Sequence, residues 1–244
     1  MTNLQTKFAT LKSGRAENLL RDIESESLDA VITDPPYSSG GLHRGDRSQD
    51  PSAKYEHSGT HDKRRTFEGD NRDGRSFGFW QSMWMIQAHE ALKPSGYIMV
   101  FTDWRQLPTT TDALQAAGFV WRGIVPWDKT SATRAPHKGY FRHQAEYVVW
   151  GTRGPCRKAE HDGPVDGVYR ERVDPRQKFH MAGKPVELMK HLCRLVDPGG
   201  IICDPFMGSG STGVAAVQTG RRFIGFDVIP ENVELSARRI REVE

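Results

Sequence analysis

Short apolar runs alternate with amphipathic segments along most of this chain. Six runs have the length and composition of buried strands: residues 28–33, 96–102, 121–127, 146–151, 200–206 and 222–228. Segments between them carry apolar residues at helical spacing, and Pro108, Pro185 and Pro230 mark helix starts. Continuously apolar strands that alternate with helices are typical of a mostly parallel sheet covered by helices on both faces. The pattern predicts an α/β fold.

The clearest helical stripe lies between the first two predicted strands. It consists of Trp80, Met83, Trp84, Ala88 and Ala91, at positions i, i+3, i+4, i+8 and i+11. We expect this stripe to face the hydrophobic core.

Two long segments interrupt the alternation. Residues 38–76 and 151–181 are polar and contain few apolar residues. Loops of this length inside a domain are commonly functional or disordered.

Composition sets limits on the class of protein. A chain of 244 residues, 36% hydrophobic and 27% charged, is long enough for one sizeable core. No apolar run approaches the ~20 residues of a membrane span, and the first residues lack a signal-peptide pattern, so a cytoplasmic location is the default. The three cysteines are far apart, which disfavours a disulfide framework; Cys193 and Cys203 lie among apolar residues and are expected in the core.

Positive charge is unevenly distributed. Residues 122–184 contain 13 Lys and Arg against 7 Asp and Glu, whereas the whole chain has a net charge of only +3. Such a segment suits a polyanionic partner, and it also suits a solvated basic surface.

The stretch "DPFMGSGSTG", residues 204–213, follows an apolar run and precedes a helical segment. Gly208, Gly210 and Gly213 fit the spacing G-x-G-x-x-G, and Asp227 ends the next predicted strand 19 residues after Gly208. The glycines allow a tight turn close to a ligand, and the acid is placed to accept hydrogen bonds from ribose hydroxyls. The stretch therefore predicts a nucleoside-containing cofactor; a glycine-rich turn alone leaves Asp227 unexplained.

A dinucleotide fits this motif poorly. Its fingerprint normally comes early, but here only one strand and one helix remain after the motif, and four residues (204–207) separate the strand from the first glycine. The chain also lacks the P-loop pattern of nucleoside triphosphate enzymes. Strands that precede the motif must complete the sheet, which predicts a circularly permuted strand order.

A second motif, "DPPY" at residues 34–37, ends the first predicted strand with an acid, two prolines and an aromatic residue. With "DPFMGSGSTG" far downstream, the sequence resembles the amino-methyltransferases of DNA, in the motif order of their beta subgroup. The resemblance extends through "ALKPSGYIMVF", "IVPWDK", "EYVVW", "GKPVELMKHLCRLVDPGG" and "FIGFDVIPENVELSARRI". It covers most of the chain outside the two polar segments.

The resemblance implies a Rossmann-like methyltransferase fold, S-adenosyl-L-methionine as cofactor and double-stranded DNA as partner. Asp34 and a carbonyl of Pro35 or Pro36 would accept the hydrogens of an exocyclic base amine, while the prolines stiffen the turn. Tyr37 would stack on the flipped base. An acid before Pro-Pro-Tyr favours adenine N6 over cytosine N4. The remaining alternatives are a NAD-dependent oxidoreductase and a non-catalytic DNA-binding module.

The family's cofactor residues map onto the second motif and its surroundings. By resemblance, those lining S-adenosylmethionine are Asp204, Pro205, Phe206, Gly208, Ser209, Gly210, Ser211 and Thr212, with Asp227 on the ribose and Lys184 and Pro185 closing over the cofactor. One departure is Arg15, because the family usually has Gly-Asp where this chain has Gly14-Arg15. A neighbour such as Asn18 would have to supply that contact to the cofactor's adenine.

The expected organisation is one catalytic domain, residues 1–244. Within it, residues 38–76 would be a mobile loop over the base pocket and residues 151–183 a short, basic target-recognition segment. His43, His57 and His61 lack metal-ligand spacing, so no metal is expected. The resemblance also allows a homodimer, and a cognate restriction enzyme in the cell, as further partners.

Overall fold

The computed structural model describes residues 2–36, 72–131, 138–157, 164–171 and 183–244. These contain nine strands: β1 Asn3–Gln5, β2 Ala9–Ser13, β3 Leu28–Thr33, β4 Leu92–Thr102, β5 Val120–Asp128, β6 Ala145–Thr152, β7 Tyr169–Arg170, β8 Ile201–Asp204 and β9 Arg222–Asp227. The helices of the same ranges are α1 Ala16–Leu19, α2 Gly74–Ala91, α3 Leu107–Ala116, α4 Val186–Cys193, α5 Ser211–Gln218 and α6 Pro230–Arg241.

The strands form one sheet in the order β1-β2-β9-β8-β3-β4-β6-β5-β7. Neighbours from β2 through β9, β8 and β3 to β4 are parallel, whereas β6 runs antiparallel to both β4 and β5. The strand that carries the first motif, β3, therefore lies beside β8, which carries the second motif from the other end of the chain. This confirms the mostly parallel sheet and the permuted strand order.

Helices cover both faces of the sheet, as predicted. Side chains of β4 alternate between two apolar clusters, with Met99 and Phe101 in one and Ile98 and Val100 in the other. The first cluster contains residues of α4, α5 and α6, and the second contains residues of α1, α2 and α3. The central strands are thus buried on both sides, which explains why they read as continuous apolar runs.

The predicted stripe on α2 is wrong at one position. Met83 is 44% exposed, whereas Phe77, Trp84 and Ala88 are fully buried. At about 100° per residue, Met83 falls about 120° around the helix from Phe77, outside the face that packs on the sheet.

The other predicted elements differ only at their ends. The second predicted strand begins at Leu92 instead of residue 96, and the helix after Pro185 ends at Cys193, before the apolar residues that follow. The prediction that Cys193 and Cys203 are buried is confirmed. None of the described helices is long and apolar enough to cross a membrane.

Candidate active site at the carboxyl ends of the strands

Both sequence motifs follow the carboxyl ends of neighbouring parallel strands, so they meet at one edge of the sheet. Thr33, the last residue of β3, donates a hydrogen bond of 2.6 Å from Oγ1 to Asp204 Oδ1, and Asp204 is the last residue of β8. One hydrogen bond therefore ties the two motifs together across 171 residues of sequence.

Asp204 is buried, and both of its oxygens accept hydrogen bonds. Besides Thr33, the Thr212 hydroxyl donates to Oδ2 at 2.6 Å and the Phe206 amide donates to Oδ1 at 3.1 Å. Burial raises the pKa of Asp204 to about 7 even though these three donors favour the charged form. The carboxylate therefore holds β3, the glycine-rich loop and the first turn of α5 together.

The glycine-rich loop has an open side and a packed side. Gly208 has φ +50°, and a Cβ added there would meet nothing within 4 Å. Gly210 has φ +78°, and a Cβ there would approach the Ser236 Oγ to 2.7 Å. Gly210 is thus required by packing against α6, whereas Gly208 leaves its backbone accessible to a ligand. The hydroxyl residues Ser209, Ser211 and Thr212 are all buried beneath the loop.

Asp227 at the end of β9 is bound to this loop. Its Oδ2 accepts from the Gly208 amide at 3.0 Å, and its Oδ1 accepts from the Ile229 amide at 2.9 Å and from Asn232 Nδ2 at 3.1 Å. Burial raises the pKa of Asp227, and these donors oppose that effect. The predicted distal acid thus lies directly beside the open glycine.

Phe206 forms part of an aromatic wall. Its ring lies 5.4 Å from the Trp80 ring and 5.3 Å from the Trp84 ring, both edge-on. Trp80 Nε1 donates to Glu17 Oε1 at 2.6 Å.

The short helix α1, which follows β2, brings Glu17 to this wall. Arg15 and Asn18 are exposed, whereas Glu17 is partly buried against Trp80. The acid that contacts the wall is therefore Glu17, and the suggested contact of Asn18 with the cofactor's adenine stays a prediction.

Asp34 follows β3 and has two unlike oxygens. Oδ2 lies 2.8 Å from Lys184 Nζ, whereas Oδ1 is buried and accepts no hydrogen bond from any described residue. Burial raises the pKa of Asp34 to about 6, with Lys184 acting in the opposite direction. Pro35 is buried behind this acid and Pro36 is partly buried.

Lys184 connects Asp34 to two residues that sequence reasoning missed. Its ammonium also lies 3.0 Å from Glu146 Oε2, and Glu146 Oε1 lies 2.8 Å from Lys129 Nζ. Burial alone would raise the pKa of Glu146, but the two lysines outweigh it and lower the pKa to about 2. Because β6 is antiparallel, its first residues lie at the same edge as the ends of β3 and β5. Glu146 lies at the start of β6 and Lys129 just after the end of β5. A charged residue at the end of a largely apolar strand was the signal available in the sequence.

Lys184 directly precedes α4, for which Pro185 is the N-cap residue. The two residues expected to close over the cofactor are thus placed on the Asp34 side of the site.

Exposed aromatic and basic side chains lie next to this charge cluster. We call Trp104, Arg105, Tyr140, Phe141, Arg142 and His143 the aromatic–basic surface. Trp104 stacks on His143 with a centroid distance of 5.6 Å and an interplanar angle of 12°, and the Arg105 guanidinium lies 4.9 Å from the Trp104 ring. Phe141 is 95% exposed. This surface follows β4 and precedes β6, so it borders the same sheet edge.

Several sequence-based expectations fall outside the described residues. These are Tyr37, the three loop histidines and residues 38–71 of the loop predicted at 38–76, and, within the segment 151–183, residues 158–163 and 172–182. Helix α2 begins at Gly74 with Asp73 as its N-cap, so the last three residues of the predicted loop are helical. Among described residues, no group of three or more His, Cys, Asp or Glu could hold a metal ion.

Comparison with known proteins identifies the family. A DNA methylase family model, for N6/N4 methyltransferases, matches residues 28–238. The chain belongs to this family. It is therefore a DNA methyltransferase of the N6/N4 type, and among the alternatives raised by the sequence this membership favours the methyltransferase over the oxidoreductase and the non-catalytic module.

Individual relatives agree with the family. The chain is 28% identical to the type II methyltransferase M2.DpnII of Streptococcus pneumoniae over 240 residues, covering 91% of this chain and 85% of that protein. Two solved structures share the fold. One is TTHA0409, a putative DNA modification methylase of Thermus thermophilus complexed with S-adenosyl-L-methionine, with a TM-score of 0.70, 20% identity and coverage of 97% and 96% of the two chains. The other is the cytosine-N4-specific PvuII DNA methyltransferase, with a TM-score of 0.71, 21% identity and coverage of 96% and 87%.

Proposed function

We propose that this enzyme methylates adenine N6 of a flipped-out base at specific sites in duplex DNA, with S-adenosylmethionine as the methyl donor. The observation that carries the proposal is the buried Asp34 Oδ1, which accepts no hydrogen bond from the described residues. A buried acceptor without a donor is costly, so such an atom in a native protein calls for an explanation. An amine donor on the substrate provides one.

The chemistry of an exocyclic base amine explains why this acceptor is useful. The nitrogen lone pair is delocalised into the ring, which makes the amine a poor nucleophile. Asp34 Oδ1 would accept one amine hydrogen and a carbonyl of Pro35 or Pro36 the other, so that the lone pair points away from both acceptors. Catalysis then consists mainly of positioning and hydrogen bonding. Tyr37, outside the described residues, is proposed to stack on the base.

The residues of the glycine-rich loop fit the cofactor. Gly208 leaves open space beside its backbone, Asp227 lies next to it, and Phe206 presents a partly exposed ring suited to a sulfonium cation. When bound, S-adenosylmethionine supplies the electrophilic methyl group. The protein's own part is to hold the ribose through Asp227 and to present the amine through Asp34.

The aromatic–basic surface supports DNA as the substrate. Its arginines can contact phosphates, and its exposed rings can stack on bases that have left the duplex. The surface borders the edge of the sheet where Asp34 lies, so a strand bound there would bring its target base to the acid. The basic segment 151–183 is proposed to add recognition contacts, within a single catalytic domain over residues 1–244 that is able to act as a homodimer.

The choice of base rests on the sequence. Asp34 before Pro-Pro-Tyr favours adenine N6, whereas the likeness to the cytosine-N4-specific PvuII enzyme makes cytosine N4 the second candidate. Both amines are conjugated to a ring, so the same site chemistry serves either base.

Transfer of a labelled methyl group from S-adenosylmethionine to mixed unmethylated DNA tests the proposal. The DNA is digested to nucleosides and analysed by mass spectrometry, with a heat-inactivated sample as background. We expect label in N6-methyladenine. Label only in N4-methylcytosine would mean that cytosine, and not adenine, is the target base. Binding of the cofactor without transfer to any DNA would contradict the proposal.

A further inference from the structure

Lys184 is unusual among lysines because its side chain is almost completely buried. Its side chain is only 9% exposed, and its ammonium lies between Asp34 Oδ2 and Glu146 Oε2, at 2.8 and 3.0 Å. The ring of Phe101, with its centroid 5.1 Å from Nζ, covers another side. A lysine loses much hydration energy in such a place, so its contacts must compensate.

The charges around Asp34 come from β6, β8, the residue after β5 and the segment before α4. Lys184 and Lys129 favour the charged form of Asp34, whereas Glu146 opposes it. Asp204, at the end of the neighbouring strand, also interacts unfavourably with Asp34 when both are charged. Lys184 contacts both Asp34 and Glu146, and Glu146 also contacts Lys129, so the position of Lys184 decides how much positive charge Asp34 receives.

The contacts of Lys184 also fix the orientation of Asp34. Because Oδ2 is bound to the ammonium, the remaining oxygen, Oδ1, is the one left without a described donor. Glu146 is in turn bound through its other oxygen to Lys129 at 2.8 Å, so it cannot rotate away without losing that ion pair. The array Lys129–Glu146–Lys184 therefore holds Asp34 in one arrangement.

We propose that Lys184, set by Glu146 and Lys129, is a positioning residue that keeps the Asp34 carboxylate ionised and turns its Oδ1 towards the target amine. This inference rests on the proposed function, since it assigns a purpose to the Asp34 oxygen that has no donor among the described residues. Removal of Lys184 and removal of Glu146 should shift the ionisation of Asp34 in opposite directions, because the ammonium stabilises the Asp34 carboxylate and the Glu146 carboxylate repels it.

The test is a pH titration of Asp34 in the full-length protein, without DNA or cofactor. Aspartate labelled with ¹³C at the side-chain carboxyl reports ionisation by NMR, and the Asp34 signal is the one that disappears in Asp34→Asn. Lys184→Met should move the midpoint to higher pH by about one pH unit or more, since removal of an opposite charge within ~4–6 Å has effects of that size. Glu146→Gln should move it to lower pH, and Lys184→Arg should stay near the wild type.

Matched controls lie on α4. Lys190 and Glu187 form an exposed ion pair of 2.8 Å, and Lys190→Met and Glu187→Gln should leave the midpoint unchanged. If Lys184→Met does not fold, Glu146→Gln carries the test alone. Midpoints that stay fixed in both site variants, or that move in the same direction, would overturn the proposal.

Methyl transfer provides a second readout. The rate of Lys184→Met should recover as the pH is raised, with an unchanged KM for DNA, whereas a variant with only structural damage would not recover. The NMR titration does not depend on turnover. Failure of the wild type to methylate DNA would therefore contradict the proposed function, and unchanged Asp34 midpoints would contradict this inference.

Discussion

Asp34 and Asp204 lie at the carboxyl ends of neighbouring parallel strands; Asp204 is buried and Asp34 partly buried, and their pKa values are raised to about 7 and about 6. Their surroundings differ in kind. Neutral hydroxyl and amide donors occupy both oxygens of Asp204, whereas Asp34 has an ammonium on one oxygen and no described donor on the other. The first arrangement is complete without a ligand. In the second, one carboxylate oxygen has no donor among the described residues, which suits the amine-binding role that we propose for Asp34.

The two acids are also stabilised by different kinds of groups, neutral donors at Asp204 and charged side chains at Asp34. Asp204 is held by groups that need no charge of their own, so they add rigidity without bringing further ions into the core. Asp34 is supported by Lys184, Glu146 and Lys129, an array in which each member carries a charge. Burial raises the pKa of Asp34 and the neighbouring lysines oppose that rise, whereas neutral donors set the geometry around Asp204.

Asp34→Asn should give the largest effect, a loss of methyl transfer, because it changes the acid whose oxygen is proposed to bind the substrate. The substitution keeps the size of the side chain but replaces a charged acceptor with a neutral one. We expect single-turnover methyl transfer to fall by about 10²- to 10³-fold, as for other groups that stabilise developing charge. Cofactor affinity, measured by calorimetry, should stay within a few-fold of the wild type.

The matched control for this variant is Asp29→Asn. Asp29 lies in the same strand but pairs with Lys93 and the Ile201 amide, away from the motifs. A comparable loss of transfer in the control would mean that disturbing β3, not the missing charge, slows the reaction.

Asp227→Ala should weaken cofactor binding, whereas Asp34→Asn should affect methyl transfer. The carboxylate holds the Gly208 amide beside the open part of the loop and is proposed to accept the ribose hydroxyls. Hydrogen bonds to charged groups contribute about 1.5–3 kcal/mol, which corresponds to a roughly 10- to 100-fold weaker Kd for S-adenosylmethionine.

Saturating cofactor should restore much of the transfer rate in Asp227→Ala, unlike in Asp34→Asn. An unchanged Kd would remove Asp227 from the cofactor site.

Thr33→Val should produce the smallest of these effects, and it should concern stability. The isosteric change removes the hydroxyl that donates to Asp204 and leaves a buried carboxylate oxygen with one donor fewer. We expect the free energy of unfolding to fall by about 1–3 kcal/mol in a urea titration. Thr219→Val is the control, because that hydroxyl donates to helix carbonyls near the end of α5 and contacts the Cys193 thiol, but is not bound to a carboxylate. Equal losses in both variants would contradict the structural role of Asp204.

The sequence alone located much of this site. Apolar runs placed Asp34, Asp204 and Asp227 at strand ends, and parallel strands bring such residues to one edge of a sheet. Glycine spacing identified the loop at which we propose that the cofactor binds. The permuted strand order followed from the position of that loop near the end of the chain.

Other features depend on information that the pattern does not contain. Glu146 and Lys129 reach the site because β6 is antiparallel to its neighbours, and the direction of a strand cannot be read from its apolar residues. Strand β7 has only two residues, too few for a periodic signal. Met83 was assigned to the core because i, i+3 spacing places it beside Trp80. The buried face of α2 extends from Trp80 in the opposite direction around the helix, so Met83 is exposed.

The most direct test of the account is the pH dependence of single-turnover methyl transfer, with cofactor and DNA both saturating. We propose that the reaction requires an ionised Asp34, whose pKa is about 6. The rate should therefore be constant above about pH 7 and fall about tenfold per pH unit well below pH 6, as expected for one required ionisation. A rate that stays constant from pH 5 to pH 8 would contradict the central role of this carboxylate.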